Sequence, residues 1–282
     1  MLEHAVWPVS LKEPPSRVDG IMRLLTHFST KRVNVLHVTE EERHPRPQTR
    51  TQLEQLKERL EDTGIRADIG FRHGHVASAV CDFALEQHAD LIALPWKTKM
   101  ILARALVGDV VRDVIRLANC PVAVYRPPAG GQRDETVDRI MYATAFSETD
   151  RVVMSYLRHP GLKADTLYLL TVGSRAPDPQ AEKRRQQKVE ESLDKLAAEC
   201  TECYRRVEKI ADMGRPEKRI IGQARSNEVD LIVAGKYDKP GPFKLPMGSI
   251  VERLPHRAPC SLLIIPPESP TATGGTGTSD KA

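Results

Sequence analysis

The stretch Asp90-Leu91-Ile92-Ala93-Leu94 recurs 140 residues later as Asp230-Leu231-Ile232-Val233-Ala234. The register between the two copies holds without a gap from Gly74 to Pro127. Solenoid repeats have periods of about 20–50 residues, so this period is too long for a solenoid unit. The repeat therefore indicates a duplicated whole domain, and the two halves of the chain can be compared with each other.

Short apolar runs alternate with longer helical patterns in both halves. Strands that alternate with helices of about 10–15 residues predict βαβ units and a mainly parallel sheet, so each half is predicted to be a five-stranded α/β domain. The predicted strands are 5–9, 33–38, 67–72, 91–94 and 122–125, then 139–144, 166–172, 204–209, 231–234 and 262–265. The predicted helices are 16–27, 50–62, 77–88 and 109–117, then 147–157, 180–200, 216–228 and 249–254.

A Pro/Gly-rich segment, Pro127-Pro128-Ala129-Gly130-Gly131-Gln132, separates the two halves. A chain of 282 residues is long enough for two domains. We predict a first domain over 1–128, a linker over 129–136 and a second domain over 137–268. The Gly/Thr-rich remainder, 269–282, is predicted to be a disordered tail.

Composition excludes several classes of protein. The 42 basic and 38 acidic residues are mixed along the chain, and this balance argues against nucleic acid as a partner. No apolar run approaches the roughly 18 residues of a membrane span, and the N-terminus has no pattern of a secretory signal. The five cysteines have no framework spacing, so a reduced, cytoplasmic location is expected.

No metal centre is predicted from the sequence. Cys200 and Cys203 have the spacing of half a zinc or redox site, but no second Cys or His pair is spaced to match them. His73 and His75 flank a glycine, and their counterparts in the second half are not metal ligands. No nucleophilic elbow or Walker motif occurs, so the sequence offers no catalytic residues.

The loop after the fourth strand of the second half is the candidate binding segment. Gly235 and Gly248 would let backbone N–H groups approach a phosphate, and the helix that follows would add its partial positive charge. Ser249 would donate a hydroxyl, and three lysines would supply nearby cations: Lys236, Lys239 and Lys244. In the alternative interpretation, the two glycines only serve tight turns and Ser249 only caps the helix.

This order of motifs resembles the universal stress protein family. Its features are Asp-Leu-Ile-Val, a glycine loop, Gly-Ser, a short helix and Ala258-Pro259-Cys260 before a final apolar strand. Residues 140–149 resemble that family's first strand and loop, and the likeness covers nearly the whole chain as two tandem domains. The resemblance implies flavodoxin-like or Rossmann-like sheets, a cytoplasmic stress-response role, dimeric assembly and, in one subgroup, ATP binding.

The spacing of the ATP-binding subgroup is only partly kept in the second half. Three of its four loop positions match, at Gly235, Gly248 and Ser249, whereas Asp238 replaces the second glycine. The subgroup's acidic residue after the first strand reads Ala145. The resemblance gives the candidate binding residues Gly235, Asp238, Gly248, Ser249, Ile250 and Thr144, with ATP or AMP as the ligand.

The first half departs further from the subgroup. The same spacing places Pro95 and Thr98 in the loop, Asp109 after the last glycine, and Ser10 at the acidic position. Pro95 has no N–H to offer, and Asp109 would repel a phosphate. We therefore expect the first half to have lost nucleotide binding.

Three functions remain open at this point. The first is a non-catalytic stress-response protein with at most weak nucleotide binding in the second half. The second is a nucleotide-binding protein that hydrolyses ATP slowly, and the third is a ligand-free interaction scaffold. We further expect self-association through the final strands of the two halves, as an intrachain pseudo-dimer or a homodimer, because exposed apolar edges favour aggregation unless they are paired.

Overall fold

The computed structural model describes residues 1–42, 45–96, 110–128, 136–236 and 250–267. The first half contains β1 His4–Pro8, α1 Pro15–His27, β2 Arg32–Thr39, α2 Pro47–Glu61, β3 Arg66–His73, α3 Val76–Glu86, β4 Leu91–Pro95, α4 Val110–Leu117 and β5 Val122–Tyr125. The second half contains β6 Arg139–Thr144, α5 Thr149–Leu157, β7 Thr166–Gly173, α6 Pro179–Ala198, β8 Arg206–Met213, α7 Pro216–Ser226, β9 Leu231–Gly235, α8 Ile250–Arg257 and β10 Ser261–Ile265. Residues 129–135 of the predicted linker over 129–136, and the predicted tail over 269–282, lie outside the described residues.

Each half has the strand order of a doubly wound α/β fold. The first half runs β3-β2-β1-β4-β5, and the second half runs β8-β7-β6-β9-β10. All neighbouring strands within a half are parallel, which confirms the predicted flavodoxin/Rossmann-like class. The order reverses between β1 and β4 and again between β6 and β9. Ligands of such sheets bind outside the carboxyl ends of the strands at this reversal.

The two sheets are joined into a single sheet of ten strands. Strand β5 pairs antiparallel with β10, so that Val124 lies opposite Leu262 and Val122 lies opposite Ile264. The predicted meeting of the two final strands within the chain is therefore confirmed. A homodimer remains a prediction.

Helices cover both faces of this sheet. Helices α1, α2, α5 and α6 pack one apolar cluster, and α3, α4, α7 and α8 pack the other. Strands buried on both faces have continuously apolar sequences, and residues 91–94 and 231–234 are all buried. No helix in the described ranges is long and apolar enough to cross a membrane.

The repeated aspartates have the same structural role in the two halves. Each carboxylate lies just before the fourth strand of its half and accepts two backbone N–H groups at the start of the first strand. Asp90 Oδ2 accepts from Glu3 at 3.1 Å and His4 at 3.2 Å, and Asp230 Oδ2 accepts from Asp138 at 3.1 Å and Arg139 at 2.9 Å. The duplicated motif therefore fixes the alignment of neighbouring strands.

Strand β8 differs most from its predicted position. The sequence predicted a strand over 204–209, whereas β8 spans Arg206–Met213. Tyr204 is buried, and its hydroxyl donates to the carbonyl oxygens of Leu157 at 2.8 Å and Leu162 at 3.2 Å. Tyr204 therefore anchors the connection before the strand instead of pairing in the sheet.

Candidate functional site

The reversal between β6 and β9 brings two of the candidate residues to one edge of the sheet. Thr144 ends β6, Gly235 ends β9, and the preceding residues Ala143 and Ala234 are paired in register. Ile250 is the first residue of α8 and packs against the apolar cluster of that face. The other three candidates, Asp238, Gly248 and Ser249, lie outside the described residues.

The hydroxyl of Thr144 is engaged in a hydrogen-bond network. Thr144 is buried, donates to Asp150 Oδ2 at 2.6 Å and accepts the backbone N–H of Phe146 at 2.9 Å. Asp150 Oδ1 accepts from the hydroxyl of Tyr142 at 2.8 Å and from the backbone N–H of Ser147 at 3.3 Å. Four contacts therefore fix the loop between β6 and α5, and the hydroxyl of Thr144 makes two of them.

Asp150 is a candidate that the sequence reasoning missed. The expected acidic position holds the exposed Ala145, but Asp150 supplies a carboxylate from the first turn of α5 to the end of β6. The available signal was an acidic residue in the first turn of a helix, where the helix dipole favours it. Oδ2 has one contact in this network, so it retains capacity to accept a second donor such as a ribose hydroxyl.

The phenol of Tyr142 stays a hydrogen-bond donor in this network. Tyr142 is almost fully buried, and burial raises the pKa of its hydroxyl strongly. The negative charge of Asp150 raises that pKa further, because a phenolate beside a carboxylate is unfavourable. The carboxylate of Asp150 is therefore held in a fixed orientation by a protonated partner.

Packing explains the glycine at position 235. A Cβ atom there would lie 2.8 Å from Thr149 Oγ1, 3.2 Å from Thr149 Cβ and 3.4 Å from a methyl group of Val153. Real Cβ atoms essentially never approach other heavy atoms closer than 3.0 Å. The close approach of α5 therefore requires glycine here whether or not a ligand binds.

Lys236 contacts the other half of the molecule. Its Nζ donates to the carbonyl oxygen of Arg116 at 2.6 Å and that of Ala118 at 3.4 Å, at the end of α4. A cation at the carboxyl end of a helix is favourable because the last carbonyl groups and the helix dipole are negative there. The sequence reasoning placed this lysine among the phosphate cations, but its charge is directed to the junction of the two halves.

The equivalent edge of the first half has a different composition. Pro95 ends β4 and is buried, and the ring of Trp96 lies 3.8 Å from the guanidinium of Arg126. Ser10 Oγ donates to Glu13 Oε1 at 2.5 Å. Thr98, Gly108 and Asp109 lie outside the described residues, so the loss of nucleotide binding in this half remains a prediction.

Four of the five cysteines, Cys81, Cys120, Cys200 and Cys260, lie in environments that raise the pKa of the thiol, whereas Cys203 is exposed. Cys200 is buried, and burial raises its pKa to about 12, so the reactive thiolate is disfavoured. Burial likewise raises the pKa of Cys260 to about 12. Within the described ranges, no group of three or more His, Cys, Asp and Glu side chains is arranged to hold a metal ion.

Comparisons with known proteins agree with this architecture. Residues 20–126 and 136–266 match the family model described as "Universal stress protein family". A universal stress protein of Methanocaldococcus jannaschii is 34% identical over 76 residues, which cover 27% of this chain and 45% of that protein. The matched stretch of the chain therefore spans less than half the length of this curated relative.

Solved structures resemble the whole chain at low sequence identity. A functionally unknown protein of Pseudomonas aeruginosa PAO1 has a TM-score of 0.72 at 15% identity, covering 94% of this chain and 93% of that chain. A universal stress protein of Archaeoglobus fulgidus has a TM-score of 0.66 at 16% identity, covering 95% and 97%. These likenesses show the shared fold over both halves.

Proposed function

The chain belongs to the universal stress protein family, and we propose that it is a non-catalytic stress-response protein whose second half binds an adenine nucleotide weakly. The binding site in this proposal is the edge formed by the carboxyl ends of β6 and β9. It is the position at which doubly wound sheets bind their ligands.

The carboxylate of Asp150 is the observation that carries this proposal. It lies at the end of β6, and Tyr142 and Thr144 fix its orientation through short hydrogen bonds. A fixed acceptor costs little ordering entropy when a ligand hydroxyl binds to it. In our proposal Asp150 contacts the nucleoside end of the ligand, in place of the acidic residue expected at position 145.

Two features of the edge support weak affinity. Lys236 is directed to the carbonyl groups at the end of α4, so it does not neutralise a phosphate. Asp238 replaces a glycine of the binding subgroup, and its carboxylate would repel phosphate oxygens. Each effect lowers the affinity for ATP more than the affinity for a nucleotide with fewer phosphate charges, such as AMP.

The chemistry of the described edge favours binding without turnover. Thr144 is the hydroxyl closest to a carboxylate there, but it is buried and already accepts the N–H of Phe146. A covalent mechanism needs a nucleophile with access to the reacting atom, and direct hydrolysis needs a group that positions water against the γ-phosphate. In our proposal the carboxylate of Asp150 contacts the nucleoside end of the ligand and not its phosphates. We therefore propose that bound nucleotide is not hydrolysed.

A ligand-free interaction scaffold is the second candidate function. Gly235 is explained by the packing of Thr149, and Lys236 is explained by its contacts with the first half. Both residues therefore have roles that need no nucleotide, and these roles favour this alternative.

Calorimetric titration of the full chain with ATP and AMP tests the proposal. We expect saturable, weak binding that Asp150→Asn reduces and Asp238→Gly strengthens. Lys236→Gln is the control, because its charge already faces α4, and it should leave nucleotide affinity unchanged. If neither the natural chain nor Asp238→Gly binds a nucleotide, the scaffold function replaces ours. ATP turnover that exceeds the buffer background would contradict the non-catalytic assignment.

A further inference from the structure

A cavity of about 290 Å³ lies at the junction of the two halves, where the end of β5 meets the start of β10. We name it the junction cavity; its lining includes Leu24, Tyr125, Arg126, Arg225, Val229 and Ser261. Small-molecule pockets have volumes of about 300–1,000 Å³, so this cavity suits a small ligand. Neither Gly235 nor Thr144 lines it, so it is distinct from the nucleotide edge proposed above.

Arg126 lines the junction cavity and carries an unpaired hydrogen-bond donor. Its Nη1 is buried and has no hydrogen-bond partner among the described residues. The guanidinium lies 3.8 Å from the ring of Trp96, and the backbone N–H of Arg126 donates to Ser261 Oγ at 3.1 Å. Buried donors are almost always satisfied, so a fixed and unpaired guanidinium nitrogen indicates an acceptor that the described residues do not supply.

Arg225 places a second positive charge beside the first. It lies near the end of α7, is exposed and lines the same cavity. Burial lowers the pKa of the Arg126 guanidinium, and the nearby charge of Arg225 lowers it further. An anion between the two guanidinium groups would remove this repulsion and accept hydrogen bonds from both, since such charge-assisted bonds are the strong ones.

The acidic groups of the lining are engaged with other partners. Glu228 Oε2 accepts from Arg139 Nη1 at 2.6 Å, and Asp230 accepts two backbone N–H groups. Tyr125 is 5% exposed, and its hydroxyl has no hydrogen-bond partner in the described part of the chain. The two carboxylates keep their charge but have hydrogen-bond partners, so the charged groups of the described lining that have a donor to offer a ligand are the two arginines, and the buried phenol of Tyr125 is a further unpaired donor.

The repeat shows that these groups belong to one half only. At the offset of 140 residues, Tyr125 and Arg126 correspond to Ile265 and Pro266, which have no side-chain donors. The unpaired polar groups are thus a special feature of the junction where β5 ends.

We propose that the junction cavity binds a small organic anion, with its carboxylate or phosphate between Arg126 and Arg225. The apolar body of this ligand packs against the aliphatic lining, which includes Leu24 and Val229. This site is additional to the proposed nucleotide edge and does not depend on it.

Phenyl phosphate and benzoate are suitable probes, and calorimetry on the full chain measures their binding. We expect saturable binding that Arg225→Gln weakens about tenfold or more, the loss expected for a charge-assisted hydrogen bond. Arg219→Gln is the matched control on the same helix, because Arg219 pairs with Asp212 outside the cavity, and it should bind as the natural chain does. Neutral phenol should bind much more weakly than either anion.

The two probes also distinguish which charged group the natural ligand carries. Tighter binding of phenyl phosphate indicates a phosphate ester, and tighter binding of benzoate indicates a carboxylate. Arg126→Gln should abolish binding, but its fold must be checked by thermal unfolding; Arg225→Gln is exposed and keeps the test independent of folding. Asp238→Gly should not change the affinity for either probe. The proposal is overturned if neither probe binds saturably, or if Arg225→Gln and Arg219→Gln bind equally well.

Discussion

The hydroxyl of Tyr125, the last residue of β5, lies so close to Gly20 of α1 that a Cβ atom on Gly20 would come within 1.9 Å of the hydroxyl oxygen. Glycine within a helix costs about 1 kcal/mol relative to alanine. Its presence in the middle of α1 is therefore explained by the ring of Tyr125, which needs the space of a side chain.

We expect Gly20→Ala to destabilise the protein by about 1–3 kcal/mol, the usual cost of overpacking a filled region. The added methyl group would displace the Tyr125 ring, since the nearest ring carbon would be only 2.0 Å away. Urea unfolding of the full chain measures the change in the free energy of unfolding.

Gly222→Ala is the matched control for this prediction. Gly222 lies within α7, and a Cβ atom there would meet nothing within 4 Å. This variant should be stabilised by about 0.5–1 kcal/mol through helix propensity alone. Equal effects at the two glycines would refute the role assigned to Tyr125.

Gly235→Ala is expected to lower stability, because its Cβ would lie 2.8 Å from Thr149 Oγ1. Thr149→Ala removes that oxygen, so the double variant should recover part of the loss in a thermal melt. A Gly235→Ala protein that keeps its full stability but loses nucleotide binding would show that the glycine serves a ligand and not α5.

Ser261→Ala should cost about 1–3 kcal/mol, because it leaves the N–H of Arg126 without its partner. Ser261 is buried at the start of β10, so solvent does not readily replace the lost hydrogen bond. Ser192→Ala on the exposed face of α6 also removes a hydroxyl, which donates to a helix carbonyl, and it should be nearly neutral. Chemical denaturation compares the two variants.

The contribution of Glu182 to the stability of the protein should decrease in acid. Hydrogen bonds from Arg185, from the backbone of Ala176 and from Gln186 lower its pKa from 4.5 to about 2. Its stabilising contribution is therefore complete above pH 4.5 and is lost as the pH falls towards 2. Glu182→Gln should be less stable than the natural chain at pH 7, and thermal melts should show this difference shrinking below pH 4.5. A difference that grows on acidification would contradict this assignment.

Much of the fold could be predicted because its signals are local. The continuously apolar runs at 91–94 and 231–234 identify buried parallel strands, and the repeat supplies the same order twice. Strand β8 could not be placed as well, because charged residues such as Glu208 and Asp212 interrupt its apolar pattern at the edge of the sheet. Tyr204, in contrast, is a residue type that is common in strands, but its hydroxyl forms a tertiary hydrogen bond with the carbonyl oxygen of Leu157.

The candidate site was less accessible to sequence reasoning. Thr144 and Gly235 lie at the carboxyl ends of β6 and β9, within one residue of the predicted strand ends, because strand ends follow from the alternation of strands and helices. The partners of Lys236 could not be deduced, since Arg116 and Ala118 are more than 110 residues away along the chain. Asp150 was missed because the comparison tested one position, whereas a carboxylate can reach the same place from the next helix.

The pairing of β5 with β10 also has a consequence for how the molecule responds to dilution. Two separate subunits joined through such strands would dissociate at low concentration, but halves tethered in one chain meet at a constant effective concentration. In addition, a substitution in a symmetric dimer appears in both subunits at once, whereas here each half changes alone. Trp96 and Lys236 occupy equivalent positions in the two halves. A symmetric dimer would have the same residue at both positions, whereas the fused chain can have a different residue at each.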